Sequence, residues 1–348
     1  MSSTVGGRFA TCPKRMTYGP CGGVRPDHTC EKAEQPCPFT DLHSAVPFRA
    51  WPDAADQPNT PRARSQVLAR AQGRPIIVTD LTTKAFDAAA TSALVATLAP
   101  ASDVVLIGEH QNRPDFPPTV LAELIASAGS PAWVTLSCRD RNRLVLEQEI
   151  AGLAHVGVDA VLCVTGDGRA PGIRPEVTQV FDLDGTRLAA TVAAAGLSPA
   201  VPESPGAPPT QIRPQRLLVK QQAGAAVAIL NHVHSTAAVK QFVAAAHSCG
   251  VTIPIVASVA VYTDEHSAAI LQRFPGLEMD LAAINSVLTS DDPVAAGIAQ
   301  AVTEAAQILA VPGIAGVNVS GLGSSRGLDY AAHIKAEVGH AIRAAVSP

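Results

Sequence analysis

The strongest constraint on the fold is a repeated alternation between two kinds of segment, from Gln66 to the C-terminus. Short β-branched, apolar runs lie at 76–80, 104–108, 133–138, 160–165, 226–231, 254–259 and 315–320. Alanine-rich stretches with helical periodicity lie between and after them, at 88–98, 143–155, 239–248, 267–273, 293–309 and 330–344. Near-continuous apolar strands separated by helices predict a parallel sheet covered by helices.

The number of units distinguishes the two common arrangements of such a sheet. Seven runs are clear, and a weaker one near 197–202 supplies an eighth strand. Eight units favour a closed (β/α)8 (TIM) barrel of the α/β class over the alternative, an open, doubly wound sheet. We therefore assign residues 66–348 to the barrel and residues 1–65 to a cysteine-rich, loop-dominated segment and linker. The stretch 199–214, with six prolines, is expected to be an irregular loop on the active face.

Composition argues against several classes of function. The net charge is −4 without a run of lysine or arginine, so the electrostatic footprint of a nucleic-acid-binding protein is missing. Apolar stretches fall short of the roughly 18 residues that a membrane span needs. Residues 1–10 lack the apolar centre of a signal peptide. The location expected from these features is the cytoplasm.

Four of the seven cysteines, Cys12, Cys21, Cys30 and Cys37, lie in the N-terminal segment. In a chain without a secretion signal, such a cluster is typical of metal ligands or local thiols before disulfides. The eight, eight and six residues between them do not match the tighter knuckle of common zinc sites. A structural four-cysteine zinc site, loose thiols or disulfides, and an iron–sulfur cluster stay open as alternatives. The segment itself is expected either to cap the barrel or to dock a partner subunit.

Polar residues that end apolar runs are the candidate site, because the active site of such a barrel forms at the carboxyl ends of its strands. They include Asp80, Ser137, Arg139, Thr165, Gly166, Asp167, Asn231 and His232. Asp80 and Asp167 follow different strands that share one mouth. Two such carboxylates are the arrangement expected of a general acid/base or charge-stabilising pair.

Some strand-end residues have a second interpretation. Asp140 and Asn142 are either site residues or caps of the following helix. His232 and His234 alternate around Val233, which suits either a two-histidine metal site or a hydrogen-bonded pair.

Two of these strand-end motifs resemble the methylenetetrahydrofolate reductase family. They are Leu136-Ser-Cys-Arg-Asp-Arg-Asn142 and, one helix later, Val161-Leu-Cys-Val-Thr-Gly-Asp167. The sequence Cys12-Pro-Lys with Gly19-Pro-Cys21-Gly-Gly resembles a segment found with that family in many bacteria. Together these resemblances cover most of the chain. They imply a barrel that binds 5,10-methylenetetrahydrofolate and passes hydride to it from NAD(P)H through FAD.

The resemblance also implies roles for individual residues. Asp167 matches an aspartate between flavin and pterin, where a carboxylate stabilises the cationic iminium form of the one-carbon unit. Asp80 falls where the family has a glutamate that protonates the folate nitrogen. Asn231 matches a glutamine that contacts the pterin, and Lys220 matches a lysine on the phosphate side of the flavin. The remaining candidates for substrate contact are Ser137, Arg139, Thr165, Gly166 and His232.

Residues on the flavin side depart from the family pattern. Val201-Pro-Glu-Ser-Pro205 lacks the expected tyrosine and histidine, and Thr165 and Thr135 replace an arginine and a histidine. Aromatic residues make up only 4% of the chain, so few rings are left to stack on a flavin. These departures argue against bound FAD. On the folate side the acids keep their type, although Asp80 is one methylene shorter than glutamate.

Three functions are therefore considered. The leading one is NAD(P)H-dependent reduction of 5,10-methylenetetrahydrofolate to 5-methyltetrahydrofolate, with or without flavin. The alternative is a flavin-free enzyme that transfers the methylene unit to another acceptor. A non-catalytic folate-binding subunit is the third, and the presence of both Asp80 and Asp167 argues against it. The expected partner is a small-molecule folate, with a homo-oligomer or a partner subunit left open.

Overall fold

The computed structural model describes residues 10–49, 65–70, 73–169, 172–274 and 276–346. Eight parallel strands form a closed barrel in which each strand pairs with the next in sequence and the last pairs with the first. The strands are β1 (Ile76–Leu81), β2 (Val104–Ile107), β3 (Ala132–Ser137), β4 (Ala160–Val164), β5 (Pro199–Glu203), β6 (Val227–Leu230), β7 (Ile255–Val261) and β8 (Ile314–Gly321). The predicted (β/α)8 barrel is confirmed, and the open sheet is wrong because β8 and β1 pair with each other.

An outer layer of helices surrounds the strands. In the described part of the chain the helices are α1 (Gln66–Arg70), α2 (Ala88–Leu98), α3 (Pro118–Ser127), α4 (Arg143–His155), α5 (Gly185–Ala194), α6 (Arg213–Gln222), α7 (Thr236–Ser248), α8 (Glu265–Arg273), α9 (Leu281–Leu288), α10 (Pro293–Leu309) and α11 (Leu328–Val346). None of these described helices is long and apolar enough to cross a membrane.

The two faces of each strand belong to two different apolar clusters. Val78, Leu106 and Trp133 pack with their counterparts from other strands inside the barrel. Their neighbours Ile77 and Ile107 point outward and pack against the helices. Because side chains alternate along a strand, the residue two positions after an interior residue lies at the mouth of the barrel.

Strand β5 corrects the prediction of an irregular loop over 199–214. The first five residues of the stretch 199–214 form the expected eighth strand, and the irregular part begins only after Glu203. Proline is tolerated here because β5 pairs with β4 only through Pro199 and Ala200. Pro202, which has no N–H to donate, lies beyond that ladder and loses no bond to β4.

Helix α1 closes the end of the barrel opposite the mouth. Val67 packs with the interior cluster. Asp159 connects α1 to the barrel interior, since its carboxylate accepts from the Gln66 N–H at 2.6 Å and from Trp133 Nε1 at 2.7 Å. The carboxyl ends of the strands are therefore the face on which a substrate site can form.

Candidate functional site

The two strand-end motifs meet at the mouth of the barrel. Gly166, after β4, has a φ of +91°, and a Cβ on it would lie 2.4 Å from Ser137 Oγ and 2.9 Å from Arg139 Cβ. Glycine is required here by both its backbone conformation and the close approach. The Arg139 N–H donates to Ser137 Oγ at 3.2 Å, and Arg139 Nη1 donates to the Asp167 carbonyl at 3.5 Å. The loop after β3 therefore supports the loop that carries Asp167.

Asp167 is half-buried beside the loop that follows β2. Gln111 Nε2 donates to Asp167 Oδ2 at 2.9 Å. Arg139, only 3% exposed, ties the same loops together, because its Nη2 donates to the His110 carbonyl at 3.2 Å. The loops after three successive strands, β2, β3 and β4, thus hold the Asp167 carboxylate at the rim of the barrel. Such a carboxylate can accept hydrogen bonds from a bound ring or stabilise a nearby positive charge.

The structure does not bring Asp80 into this group. Asp80 follows the interior residue Val78, but its carboxylate pairs with the ammonium group of Lys335, a buried residue of α11. Lys335 Nζ also donates to the Asp80 carbonyl at 2.9 Å, and the Gly321 N–H lies 3.4 Å from Asp80 Oδ2. Asp80 therefore lies at the β8–β1 side of the mouth, in contact with a different set of residues from Asp167.

The candidates on β6 separate from one another. Asn231 Nδ2 donates to Ser204 Oγ at 2.8 Å, at the β5–β6 side of the mouth. His232 is buried between the barrel and α10, where its ring nitrogens lie 2.7 Å from the Glu278 carbonyl and 2.6 Å from Glu304 Oε1. His234 is 3.7 Å from Glu278 Oε2. The two histidines therefore contact glutamates and neither bind one another nor share a metal site.

Lys220 is a residue of α6 whose side chain faces the barrel. Its ammonium group donates to Glu203 Oε2 at 2.8 Å and to the Pro202 carbonyl. Arg213 Nη1 lies 3.4 Å from Glu203 Oε1 on the other side of the same carboxylate. Lys220 is thus enclosed in a buried ion cluster, and its contacts do not fit the flavin-phosphate role that the resemblance implies.

The other strand-end polar residues have distinct roles. Asn142 caps α4, because its side chain accepts from the Val145 N–H at 3.0 Å. Asp140 is not a cap: Arg139 Nε and Arg169 Nη2 donate to its Oδ2 at 2.9 and 2.8 Å. Of the two alternatives considered for these residues, Asn142 takes the role of a cap, and Asp140 belongs to an arginine cluster.

The N-terminal segment packs on the carboxyl ends of β4 and β5. The Thr17 N–H donates to Asp184 Oδ2 at 2.8 Å, and Arg213 Nη2 donates to the Cys21 carbonyl at 3.0 Å. Met16 Sδ lies 3.5 Å from Thr165 Oγ1. The segment therefore covers one side of the mouth, including the candidate substrate residue Thr165.

The four cysteines of the segment lie around one small cavity. Cys12, Cys21, Cys30 and Cys37 line a space of about 10 Å³. Burial raises the pKa of Cys12, and it raises that of Cys37 to about 11. Yet within the described ranges no three His, Cys, Asp or Glu side chains are disposed to hold one metal ion. The described donor set therefore does not fit a zinc site, which was one of the three alternatives, and the thiols are free in this structure.

An open cavity of about 330 Å³ lies on the uncovered side of the mouth, above β2 and β3. We call it the arginine cavity, after Arg113, Arg141, Arg169 and Arg174, which line it. Glu109 also lines it and accepts from Arg141 Nη1 at 2.8 and 2.9 Å. Burial raises the pKa of Glu109, and the charge of Arg141 opposes this rise.

Sequence reasoning missed these arginines. Arg113, Arg169 and Arg174 lie several residues beyond the ends of β2 and β4, whereas Arg141 stands between the strand-end residues Asp140 and Asn142. A usable signal was present, since each of three successive strand-to-helix loops contains arginine. The structure therefore brings together Ser137, Arg139, Gly166 and Asp167 beside the arginine cavity, and leaves Asp80, Asn231, His232 and Lys220 elsewhere.

Comparisons with known proteins identify the fold. No family model and no curated protein matches the chain. Among solved structures, an uncharacterized protein from Clostridium thermocellum that binds two copies of 5-methyl-5,6,7,8-tetrahydrofolic acid matches with a TM-score of 0.57 at 14% identity. The match covers 78% of this chain and 98% of that one.

Two enzymes give lower scores. Oxaloacetate acetylhydrolase matches with a TM-score of 0.45 at 12% identity, over 75% of this chain and 81% of that one. Tryptophan synthase from M. tuberculosis matches with a TM-score of 0.44 at 16% identity, over 81% of this chain and all of that one (100%). The match to the Clostridium thermocellum protein supports the barrel fold and, at this identity, shows nothing beyond the fold.

Proposed function

We propose that the chain is an enzyme that reduces 5,10-methylenetetrahydrofolate to 5-methyltetrahydrofolate with NAD(P)H. The observation that carries the proposal is the contact between the two motifs of the resemblance, where Gly166 packs on Ser137 and Arg139 and places Asp167 at the mouth. The structural match to a protein that binds 5-methyltetrahydrofolate supports a folate as the ligand.

Asp167 has the chemistry that the reaction requires. When the departing folate nitrogen takes a proton from solvent, its bond to the methylene carbon breaks and an iminium cation remains. The methylene carbon of that cation then accepts hydride from a reduced nicotinamide, which becomes NAD(P)⁺. A carboxylate held at the mouth stabilises that cation and orients the pterin by accepting its N–H groups. Gln111 keeps the Asp167 carboxylate in place through one oxygen.

Asp80 contributes differently from the proton donor that the resemblance implies. Its carboxylate forms an ion pair with Lys335, so we propose that Asp80 stabilises the β8–β1 side of the mouth and does not donate a proton to the folate. The flavin does not fit, because Lys220 is enclosed with Glu203 and the Pro202 carbonyl. The proposed reaction therefore transfers hydride from the nicotinamide without FAD.

Transfer of the methylene unit to another acceptor is the second candidate. It uses the same iminium and the same Asp167 carboxylate, and differs only in the nucleophile that attacks the methylene carbon. The arginine cavity, which Arg169 lines two residues after Asp167, favours it because an acceptor needs room next to the folate. The two candidate functions share the folate-binding site and differ in their second substrate, which is a nicotinamide in one and a methylene acceptor in the other.

The test measures NADH and NADPH oxidation with and without 5,10-methylenetetrahydrofolate. We expect folate-dependent oxidation and a fall of about 100-fold in kcat/KM for Asp167→Asn, because one preorganised charge is lost from the transition state. Asp291→Asn is the matched control, since Asp291 is exposed in the loop before α10. Its activity should stay within about twofold of the unmodified chain.

Three other outcomes are informative. Consumption of the folate without nicotinamide oxidation would favour methylene transfer. Full activity of Asp167→Asn would remove Asp167 from the reaction. Failure of 5-methyltetrahydrofolate to bind in a calorimetric titration would overturn the folate assignment for both candidates.

A further inference from the structure

We propose that the arginine cavity is an anion-binding subsite for a ligand that carries at least two negative charges and a hydrogen-bond donor. The proposal concerns binding alone and does not depend on which folate reaction the chain performs. It rests on the charge of the cavity, on buried polar atoms that lack partners, and on the rigidity of the arginines.

The cavity holds more positive than negative side chains. Arg113, Arg141, Arg169 and Arg174 face three carboxylates, those of Glu109, Asp115 and Asp140. Arg139 lies directly behind and donates to Asp140, so that two guanidinium groups share one carboxylate. Arg174 also pairs with the exposed Glu176 at 3.4 Å, outside this lining, so the attraction for anions depends mainly on guanidinium N–H groups that lack a protein partner.

Arg169 has a donor with no protein partner. Its side chain is only 10% exposed, and its Nη2 donates to Asp140 Oδ2 at 2.8 Å. Its Nε donates to the Gln111 carbonyl at 2.9 Å. Nη1 is buried and has no hydrogen-bond partner in the described protein. Burying such a donor is costly, and an anionic oxygen in the cavity would satisfy it.

Asp140 has the complementary feature. Its Oδ1 is buried without a partner, while Oδ2 is held by both arginines. An acceptor beside an orphaned guanidinium donor suits a ligand in which a hydroxyl or amide N–H lies near an anionic group. This is why the ligand needs a donor as well as charge.

The pKa of His110 reflects the positive electrostatic potential of the cavity. Burial lowers its pKa, and the charge of Arg113 lowers it further, with Asp115 opposing. Its Nε2 is buried without a hydrogen bond, at 3.3 Å from Asp115 Oδ2. A ring held neutral here leaves the binding of anions to the guanidinium groups.

The buried arginines are rigid, and the exposed ones form the rim. Arg141 is fixed by both oxygens of Glu109, and Arg169 by Asp140 and the Gln111 carbonyl. A fixed donor loses less conformational entropy when a ligand binds. Arg113 and Arg174 are exposed at the open end, where they can attract and hold a second charge.

Two kinds of ligand share this chemistry. One is a chain of carboxylates with amide N–H groups, such as an oligo-γ-glutamate. The other is a pair of phosphates beside sugar hydroxyls, as in a dinucleotide. Tri-γ-glutamate and adenosine diphosphate are therefore the probes, titrated calorimetrically into the full chain.

The variants separate the subsite from general charge effects. Arg113→Gln with Arg174→Gln removes two rim charges, and Arg70→Gln with Arg273→Gln removes two exposed charges elsewhere as the matched control. Arg169→Lys keeps the charge but removes the planar pair of donors. We expect at least one probe to bind, with about tenfold weaker binding in the rim variant and in Arg169→Lys. The control should change affinity by less than about twofold.

The outcomes are decisive in either direction. Binding of one probe that weakens about tenfold in the rim variant and in Arg169→Lys supports the subsite and identifies carboxylate or phosphate as its ligand. Absence of binding by both probes at about 10 mM would overturn it, since even a Kd of 1 mM would be detected. Equal losses in the rim variant and the control would also overturn it, because the attraction would then come from net charge. Circular dichroism of each variant confirms folding, and the rim variant keeps the test valid if Arg169→Lys unfolds.

Discussion

Replacing Glu203 by glutamine tests the buried ion cluster at the end of β5. Glu203 is 2% exposed and accepts from Lys220 Nζ at 2.8 Å, with Arg213 Nη1 at 3.4 Å. Arg216, also buried, contributes charge to the same cluster. Glutamine has nearly the same shape, so the change removes charge while leaving the packing in place.

The size of the effect follows from the pKa of Glu203. Burial alone would raise it, but Lys220, Arg213 and Arg216 outweigh burial and lower it from 4.5 to about 2. That difference corresponds to about 3 kcal/mol of preference for the ionised form in the folded state. Removal of one partner from a buried ion pair typically costs about 3–5 kcal/mol. We therefore expect Glu203→Gln to lower the free energy of unfolding by about 3–5 kcal/mol at pH 7.

The effect should depend on pH with a definite sign. A carboxyl whose pKa is lowered by folding contributes stability above its unfolded pKa of 4.5, and this contribution is lost as the pH falls towards about 2. Urea unfolding of both proteins at pH 7 and at about pH 3 measures it. The difference between Glu203→Gln and the unmodified chain should be largest at pH 7 and smaller at the acidic pH.

The matched control is Glu176→Gln, because the Glu176 side chain is 67% exposed and its partner within the described residues is Arg174, which is also exposed. Its free energy of unfolding should change by less than about 0.5 kcal/mol. A Glu203→Gln penalty below about 1 kcal/mol at pH 7 would refute the reasoning. So would a penalty that stays constant as the pH falls, since it would then come from packing rather than charge.

Three further predictions concern other contacts of the mouth and its surroundings. Gly166→Ala should lower the free energy of unfolding by about 1–3 kcal/mol more than Gly129→Ala. Both glycines have a positive φ, but only at Gly166 does the added Cβ meet a side chain, at 2.4 Å; equal penalties in urea unfolding would contradict this. His232→Gln should cost most at low pH: burial lowers the pKa of His232, but hydrogen bonding to a glutamate of α10 raises it above 6.5 overall. The contribution is then present below 6.5 and fades as the pH rises through the raised value, so a penalty as large at pH 9 as at pH 6 would show that the charge is irrelevant. Lys335→Met should cost about 3–5 kcal/mol, and less in combination with Asp80→Asn. Additive penalties in this double-mutant cycle would mean that the two residues are not coupled.

The order of strands and helices could be predicted from the sequence because it depends on local periodicity. Apolar runs bounded by polar residues, with helical stretches between them, specify a parallel sheet wherever they occur. The same periodicity placed Asp80, Asp167 and Asn231 at strand ends, where the structure also has them. The eighth strand near Leu197 was weak because prolines replace the β-branched residues that mark the others.

Which side chains contact each other was decided only by the tertiary structure. Asp80 and Lys335 are 255 positions apart, and no spacing rule links a strand end to a helix that crosses it from the far end of the chain. The same holds for the cysteines, which surround one cavity but do not form a metal site in the described chain. Ion pairs and close approaches depend on where two distant elements meet in three dimensions.

The alternation of apolar runs and helical stretches from Gln66 onward was sufficient for the barrel, since each strand–helix unit buries its own apolar residues by a local rule. It also determined which end of the barrel carries the polar groups. It did not determine which part of that end is open. The N-terminal segment covers the β4–β5 side and leaves the arginine cavity above β2 and β3, because only the folded chain brings Thr17 to Asp184.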